Sequence, residues 1–506
     1  MLLVASYIFY GWWDERFLFL IVISTAVDFC CGLMITEGRL TGKERCWVSV
    51  YTVLAAFFFI TLQWDAVQLS IKPIAISVEW QQILPTSIFG WFVLLGTLLV
   101  IGIFNWIYPQ LATIETQKRR RLFLIISICS NLGILAIFKY FNFFIGSAEA
   151  ILSSLEVSAN FWRLNLILPV GISFYTFQTM SYTIDVYQGK MKSTNRFLDF
   201  ALFVSFFPQL VAGPIERASE LLPRILNPRQ LSFNQSQRGI FLILFGLFKK
   251  IGIADSIAGS VDAIYSTTGL VSWLDVVLAT FLFTAQIYCD FSGYSDIARG
   301  TAKLFGIELM TNFNLPYFSK TPSEFWSRWH ISLSTWLRDY LYIPLGGNRK
   351  GNVRTYQNLM TTMVLGGLWH GAGWNFILWG FYQGSLLCIY RFFTPKSKTK
   401  NTHIQGFLRS LITTLLFFIL TCYGWLLFRA NSLNQVIEFT KILFVDFGNF
   451  ALTMPKPTLA GLIALPLLIG YECIEYLAGN VKFYRRYPAM IRGAFYATLT
   501  IIIIMG

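Results

Sequence analysis

Charged residues are scarce in this chain of 506 residues. Asp, Glu, Lys and Arg together make up 13% of it, about half the share found in an ordinary globular domain. So few charges exclude the several soluble domains that a chain of this length would otherwise suggest. Hydrophobic residues, in contrast, make up 55% of the sequence and aromatic residues 17%. We therefore expect a polytopic membrane protein.

The sequence also lacks the short motifs of several chemistries. It contains no Ser/His/Asp nucleophile elbow, no phosphate-binding glycine loop, no acidic metal pair and no H-E-x-x-H pair. Its eight cysteines are scattered, without a C-x-x-C pair or a His/Cys cluster at zinc spacing. We predict no structural disulfide, no metal site and no bound cofactor.

Basic residues outnumber acidic ones, and the formal net charge is +14. Lys and Arg gather in short loops between apolar segments, and no basic stripe is interleaved with aromatic residues for base stacking. This pattern does not indicate nucleic-acid binding and is typical of the cytoplasmic loops of a membrane protein. We accordingly place the run Lys118–Arg121 in the cytoplasm and expect the protein in the cell (inner or plasma) membrane.

Apolar segments of about 20 residues recur along the whole chain, which is the length of a helix that crosses a bilayer. Because backbone polar groups in lipid must pair within the segment, we predict an all-α fold with 11–13 transmembrane or re-entrant helices. Met1–Trp13 lacks the basic region and cleavage site of a signal peptide, and we expect that Met1 falls partway along a helix. The predicted spans are Phe17–Ile35, Trp47–Leu62, Ser87–Tyr108, Leu122–Ile145, Leu166–Val186, Phe200–Gly213, Gly239–Ser256, Trp273–Tyr288, Gln357–Phe393, Phe407–Phe428, Thr458–Leu477 and Gly493–Gly506.

Two of the three histidines lie in one stretch, Glu324–Asn375, which we interpret as a hairpin of two membrane-embedded elements. Each of them, His330 and His370, directly follows a tryptophan. Imidazole is the side chain that titrates near neutral pH, and ionisable groups at membrane depth are functional candidates by default. The third, His403, has polar neighbours and is expected in solvent.

The first half of this hairpin, Phe325–Leu341, is predicted to be an amphipathic helix. At 100° per residue its aromatic side chains share one arc and its charged and hydroxyl side chains the opposite arc, with His330 at the border. Such a helix lies at the membrane interface or in a polar cavity. A merely peripheral helix would not explain the following IPLGGNRKG, where Arg349-Lys350 mark an aqueous and cytoplasmic side.

The second half surrounds His370 with glycines in VLGGLWHGAGWNF. Gly367 and Gly371 have the small-xxx-small spacing that permits close helix approach, and the missing side chains would also open space for an acyl chain. A buried histidine is commonly a satisfied structural residue. The glycines, the rarity of histidine and the membrane depth favour a functional one, and the simplest chemistry for it is general-base catalysis of acyl transfer from a thioester to a hydroxyl.

Several segments together resemble the membrane-bound O-acyltransferase family, and within it the bacterial alginate O-acetyltransferase branch. They are PVGISFYTFQTMSYTIDVY, FFPQLVAGPIERASELLPRI, DFSGYSDIARG, LGGLWHGAGWNFILWG and the central stretch from NFNLPYFSK to IPLGGNRKG. The resemblance implies that His370 is the catalytic residue and His330 the second functional histidine. It also implies a ring of helices around a central tunnel, with a cytoplasmic donor such as acetyl-CoA, an exported polysaccharide as acceptor and an extracytoplasmic partner protein.

Within these motifs we expect further residues to bind substrate. Asp290 and its neighbour Asp296 have structural alternatives as helix caps or as partners of Arg299. The expected substrate-binding residues are Trp326, Arg328, Trp329, Ser334, Arg338, Asp339, Trp369, Asn375, Gln209, Asp290 and Tyr294.

The domain organisation is predicted to be one integral-membrane domain over residues 1–506. Residues 119–429 form its catalytic core, residues 42–118 an insertion with two spans relative to shorter family members, and residues 430–506 the C-terminal spans. Two alternative functions stay open at this point. One is D-alanyl transfer to teichoic acid, whose enzymes share the RWHISLSTW-like segment, and the other is a proton-coupled transporter or flippase of a glycan or lipid intermediate.

Overall fold

The computed structural model describes residues 1–71, 74–83, 88–157, 161–267, 269–394, 406–479 and 486–506. They divide into two units, Met1–Val211 with Ile215–Arg229, and Ala212–Pro214 with Gln230–Gly506. The helices of the first unit are α1 Leu2–Gly11, α2 Arg16–Thr36, α3 Gly42–Ala56, α4 Ile88–Thr113, α5 Thr116–Leu135, α6 Phe141–Ser154, α7 Ile172–Tyr187, α8 Phe197–Ser205, α9 Phe207–Leu210 and α10 Ala218–Leu226.

Helix α2 is the centre of the first unit, where it packs against α5 and α7. Its Asp28 is fully buried and accepts hydrogen bonds from Ser127 Oγ (2.5 Å) and Asn131 Nδ2 (2.8 Å). Thr179 of α7 joins this network by donating to Asn131 Oδ1 at 3.0 Å. The polar side chains of the PVGISFYTFQTMSY segment therefore link helices, as hydroxyl and amide groups do in membrane bundles.

Two predictions for the first unit need correction. The link between the second and third predicted spans contains an antiparallel hairpin, β1 Val67–Ile71 and β2 Ile74–Val78, with Val67 opposite Val78. The span predicted at Leu166–Val186 begins only at Ile172, because Gly171 precedes it in the left-handed conformation (φ 75°). A Cβ at Gly171 would lie 2.4 Å from the carbonyl oxygen of Leu210, so no other residue fits there.

The second unit contains the remaining helices. They are α11 Phe233–Leu247, α12 Ser256–Ser266, α13 Trp273–Leu304, α14 Pro322–Arg328, α15 Ile331–Leu337, α16 Gly351–His370, α17 Trp374–Phe393, α18 Phe407–Arg429, α19 Leu433–Phe444, α20 Leu459–Ala478 and α21 Ala489–Met505. Across the described residues of both units, π-helical turns occur at Phe57–Thr61, Ala136–Tyr140, Phe248–Asp255 and Arg338–Tyr342, and short 3-10 turns at Trp64–Ala66 and Pro316–Phe318.

Helices α11 and α13 form the closest pair of the second unit. A Cβ on Gly246 would lie 2.5 Å from the carbonyl oxygen of Gly293, so the two backbones touch through glycine, as in other membrane helix pairs. This approach buries Lys249, which pairs with Asp296 at 2.5 Å. Lys249 lies within the predicted span Gly239–Ser256, and its charge is compensated inside the protein.

Seven helices among the described residues are long and apolar enough to cross a membrane, and α1 and α21 are shorter apolar helices. The predicted all-α polytopic fold is confirmed. Two predicted spans are not continuous helices. Phe200–Gly213 is divided between α8 and α9, and Gln357–Phe393 is interrupted where Gly371 and Gly373 are extended and separate α16 from α17. This break directly follows His370.

Candidate active site

The first histidine lies where the predicted helix Phe325–Leu341 is interrupted. Helix α14 begins in the ordinary way, with the Thr321 hydroxyl accepting from the backbone N–H of Glu324. It ends at Arg328, and His330 adopts the left-handed conformation (φ 42°, ψ 54°) before α15 starts. Left-handed backbone in a non-glycine residue costs free energy and is concentrated at functional sites. The continuous amphipathic helix predicted here is therefore wrong.

His330 is held by a loop that follows α13. Its Nδ1 lies 3.2 Å from Asn312 Oδ1, which also accepts from the Ser332 hydroxyl at 2.9 Å. The backbone N–H of Ile331 donates to the Asn312 carbonyl, which fixes the loop beside the break. Because Asn312 Oδ1 is an acceptor, Nδ1 of His330 carries a hydrogen, and Nε2 is the basic nitrogen of the neutral ring.

His330 is 1% exposed, so it does not lie at the border of an amphipathic face as the sequence suggested. Phe291 packs edge-on against its ring, at 4.6 Å between centroids. His330 lies outside the seven candidate spans. Burial, and secondarily the neighbouring His370, lower its pKa well below the ordinary value of histidine. His330 is therefore neutral near pH 7.

The second histidine is the last residue of α16 and is only half-buried. The glycines around it serve helix packing. A Cβ on Gly371 would lie 2.1 Å from the Phe376 ring, and one on Gly367 would lie 2.2 Å from the Phe376 carbonyl oxygen. The space that these glycines leave is therefore filled by α17, and the expectation that it admits an acyl chain is wrong at both positions.

The two imidazoles lie edge-on to one another, with an interplanar angle of 60° and their ring centroids 6.5 Å apart. Aromatic side chains enclose them: Trp369 lies 6.1 Å from His330 and 5.0 Å from His370. Trp379 and Phe428 pack edge-on against His370 at 5.2 and 5.3 Å. At 6.5 Å in a surrounding of low polarity, two positive rings would repel strongly. The arrangement favours at most one positive charge on the pair.

Each histidine lies beside a different cavity. His370 contacts Phe428, in the wall of a cavity of about 520 Å³ that we call the Phe428 cavity. His330 contacts Asn312 and Phe313, in the wall of a second cavity of about 460 Å³, the Asn312 cavity. Helix α13 contributes to both walls, with Gln286 in the first and Asp296 in the second. The two histidines therefore lie behind the walls of two different cavities, and neither is itself among the lining residues.

The predicted aromatic and amide residues lie close to the pair. Trp326 packs against Trp379, at 5.9 Å between ring centroids. Trp329 is buried in an aromatic cluster, 4.6 Å from Trp425, so it supports the site and does not line a cavity. Asn375 lines the Phe428 cavity and donates to the carbonyl oxygens of Phe428 and Ala430, which anchors the start of α17.

The predicted charged residues are mostly engaged in ion pairs. Arg328 pairs with Glu324 at 3.0 Å, and Arg338 pairs with Asp339 at 2.7 Å on the π-helical turn. Asp290 lines the Phe428 cavity and pairs with Lys250 at 2.7 Å.

The remaining residues singled out in the sequence lie at different places in the fold. The alternative that Asp290 and Asp296 cap a helix is wrong, since α13 continues past both; pairing of Asp296 with Arg299 is confirmed at 3.2 Å. Tyr294 also lies on α13, and Ser334 lies half-buried on α15. Gln209 belongs to the first unit, where its side chain donates to the Phe203 carbonyl. His403 lies outside the described residues.

The sequence did not single out Asn312, Ser332, Gln286 or Phe428. Asn312 lies in the quoted segment NFNLPYFSK, but a lone asparagine in a loop carries no spacing signal that points to a histidine 18 residues later. Gln286 and Phe428 lie inside apolar helices, and only their contacts in the folded protein distinguish them from the other residues of those helices. Among the described residues there is no group of three or more His, Cys, Asp or Glu side chains suited to a metal ion.

These features define a polytopic α-helical membrane protein with a pair of imidazoles, one buried and one half-buried, next to the walls of two cavities. Residues 188–428 match the model of the MBOAT, membrane-bound O-acyltransferase, family. The chain is 41% identical over 398 residues to the "Probable alginate O-acetylase AlgI" of Azotobacter vinelandii, covering 77% of this chain and 76% of that protein. It belongs to the membrane-bound O-acyltransferase family.

Two other relatives show the range of acceptors in related proteins. The peptidoglycan O-acetyltransferase of Helicobacter pylori is 37% identical over 68% of this chain and 69% of its own length. The teichoic acid D-alanyltransferase of Bacillus subtilis is 27% identical over 54% of this chain and 71% of its own length. The protein is thus a multi-pass membrane O-acyltransferase, and acyl transfer to a polysaccharide is the activity that its relatives support. The alternative of a transporter or flippase is set aside.

Proposed function

We propose that this protein transfers acetyl groups from a cytoplasmic thioester, acetyl-CoA, to hydroxyls of an exported polysaccharide such as alginate, with His370 as general base. The observation that carries the proposal is the unequal pair: a half-buried His370 beside a cavity, 6.5 Å from a His330 that burial keeps neutral. The relatives named as alginate and peptidoglycan O-acetylating proteins support acetyl as the group transferred.

In the proposed reaction, His370 takes the proton of an acceptor hydroxyl as that oxygen attacks the thioester carbonyl carbon. The new C–O bond forms, the C–S bond breaks, and the imidazolium returns its proton to the departing thiolate. No net proton is gained or lost. Because His330 stays neutral, it does not oppose the positive charge that develops on His370. A positioned base of this kind contributes about 10²–10⁴-fold in rate.

The two cavities suit two substrates arriving from opposite sides. The Asn312 cavity is lined by the part of α13 nearer its basic C-terminal end, with Asp296 and Arg299, whereas the Phe428 cavity is lined by its earlier residues Phe283 and Gln286. Basic loops mark the cytoplasmic side. We assign the Asn312 cavity to the cytoplasmic donor and the Phe428 cavity to the acceptor.

A polar atom in the Phe428 cavity fits this assignment. Gln286 Oε1 is buried and has no hydrogen-bond partner among the described residues. A buried acceptor without a partner costs about 1–3 kcal/mol, and a sugar hydroxyl would satisfy it. Transfer outside the cytoplasm would be completed with an extracytoplasmic partner protein, and the proposed location is the inner membrane.

The test is the acetyl content of the exported polysaccharide in cells with and without this gene. We expect alkali-labile acetyl esters to disappear from a polymer that is otherwise still exported. Loss of D-alanyl esters instead would assign the chain to the activity named for its Bacillus subtilis relative. Loss of the polymer itself, with esters intact on what remains, would contradict both.

A further inference from the structure

A second kind of site lies in the first unit, among α2, α3, α4 and α5. These helices enclose a cavity of about 600 Å³, which we call the α4 cavity. Its walls are almost entirely apolar. Among the lining residues are Phe19, Ile23, Val93, Gly96, Val100 and Phe123.

Helix α4 forms one wall of this cavity, and most of its residues are not buried against the rest of the protein. Of its 26 residues, only Gly90 and Tyr108 are buried. A Cβ built on Gly96, which lines the cavity, would meet no atom within 4 Å. The space is open to the surroundings, since its lining residue Val100 is 65% exposed, and in a bilayer the surrounding apolar molecules are lipids. The α4 cavity therefore has the shape and polarity of a site for a lipid acyl chain.

One end of the cavity carries an uncompensated positive charge. Arg45 lines it half-buried, with its guanidinium 4.3 Å from the centroid of the Tyr108 ring and 3.4 Å from Asn105 Oδ1. Its buried Nε has no hydrogen-bond partner among the described residues. No carboxylate of the described chain lies within ion-pair distance of Arg45. A partly desolvated guanidinium in this position favours an anionic ligand.

Other basic residues lie at the same end of the unit. Tyr108, beside Arg45, accepts from the backbone N–H of Leu40, and Arg119 of α5 donates to the carbonyl of the nearby Met34. Arg119 belongs to the basic run 118–121, which the positive-inside pattern places on the cytoplasmic side. Clusters of basic residues beside a membrane helix on that side attract anionic lipids.

We propose that the α4 cavity binds an anionic phospholipid of the cytoplasmic leaflet, with an acyl chain along Gly96 and the phosphate at Arg45. A zwitterionic lipid would fill the same space but would leave the charge of Arg45 less well compensated. The site belongs to the first unit and is independent of the acyl-transfer chemistry proposed for the histidines.

The test uses the full chain purified in mild detergent and presented with palmitoyl-oleoyl phosphatidylglycerol or phosphatidylcholine, with bound lipid counted by native mass spectrometry. Gly96→Leu fills the cavity and should abolish the tightly retained lipid. Its matched control is Gly102→Leu on the same helix, where a Cβ also meets no atom within 4 Å but the position is exposed and outside the cavity lining. That variant should bind lipid as the parent protein does.

Arg45→Gln tests the headgroup separately. It should reduce the preference for phosphatidylglycerol over phosphatidylcholine by about fivefold, the factor expected for one basic residue at an anionic lipid. Lys43→Gln, an exposed neighbour, should leave the preference unchanged. Equal lipid retention in Gly96→Leu and Gly102→Leu, or equal preference in Arg45→Gln and Lys43→Gln, would overturn the proposal, and so would a parent protein that retains no lipid.

Discussion

The two units of this protein each bury an ionisable cluster, and the clusters are built differently. Around Asp28 in the first unit, both carboxylate oxygens accept hydrogen bonds, from Ser127 and Asn131. In the second unit, His330 and His370 lie among aromatic rings and beside two cavities. An ionisable group at membrane depth is thus not functional by its location alone. The Asp28 cluster satisfies its own polar atoms and links helices, whereas the histidine pair contacts residues that line two cavities.

The sharpest test of this contrast is His370→Gln, which keeps a polar side chain and removes the base. We expect turnover to fall by about 10²–10⁴-fold. The midpoint of thermal unfolding should change little, because His370 is half-buried at a helix end. Acetyl transfer in membranes and unfolding of the purified protein measure the two quantities. His403→Gln is the matched control and should retain full turnover; parental turnover in His370→Gln would refute its role as base.

Asp28→Asn tests the other cluster. We expect it to lower stability and to leave turnover unchanged, which is the reverse of the effect expected for His370→Gln. The substituted amide places a second donor opposite Ser127 or Asn131, which leaves a buried polar atom without a partner. We expect the free energy of unfolding to fall by about 1–3 kcal/mol, while turnover per folded molecule is kept. Asp199→Asn is the control, since its ion pair with Arg196 is partly exposed, with the two side chains 24% and 63% accessible, and such a pair is worth about 0–1 kcal/mol. Turnover lost in Asp28→Asn without loss of stability would contradict the distinction.

Asn312 is expected to act as a positioning residue for His330. Asn312→Ala removes the acceptor at Nδ1 and should lower kcat about tenfold, the equivalent of one hydrogen bond, with KM changed less. Asn312→Asp restores an acceptor oxygen and should recover much of the rate. Its carboxylate would also raise the pKa of His330 and displace the pH–rate profile. A purely structural role would leave the profile of Asn312→Asp where it was in the parent protein.

Much of this architecture follows from the sequence, and what does not has identifiable causes. The all-α membrane fold follows from composition, and the histidine pair follows from rarity and placement. The break at His330 could not be predicted, because the residues on either side continue a helical pattern and only the Asn312 loop makes the left-handed conformation favourable. The glycines near His370 were correctly tied to close helix approach, but which partner fills their space depends on Phe376, a tertiary contact.

The smallest expected effect concerns pH and comes from His330. Its folded-state pKa is lowered by burial, so at acid pH the unfolded chain binds a proton that the folded protein does not. Stability is therefore full above the ordinary pKa of about 6.5 and falls as the pH drops below it, by at most about 1.4 kcal/mol per pH unit until the lowered pKa is reached. His330→Asn removes the titrating group and retains a residue that tolerates left-handed backbone. Thermal unfolding of the purified protein between neutral and acid pH should show a shallower decline in this variant than in the parent; parallel curves would mean that folding leaves the pKa of His330 where it is in the unfolded chain.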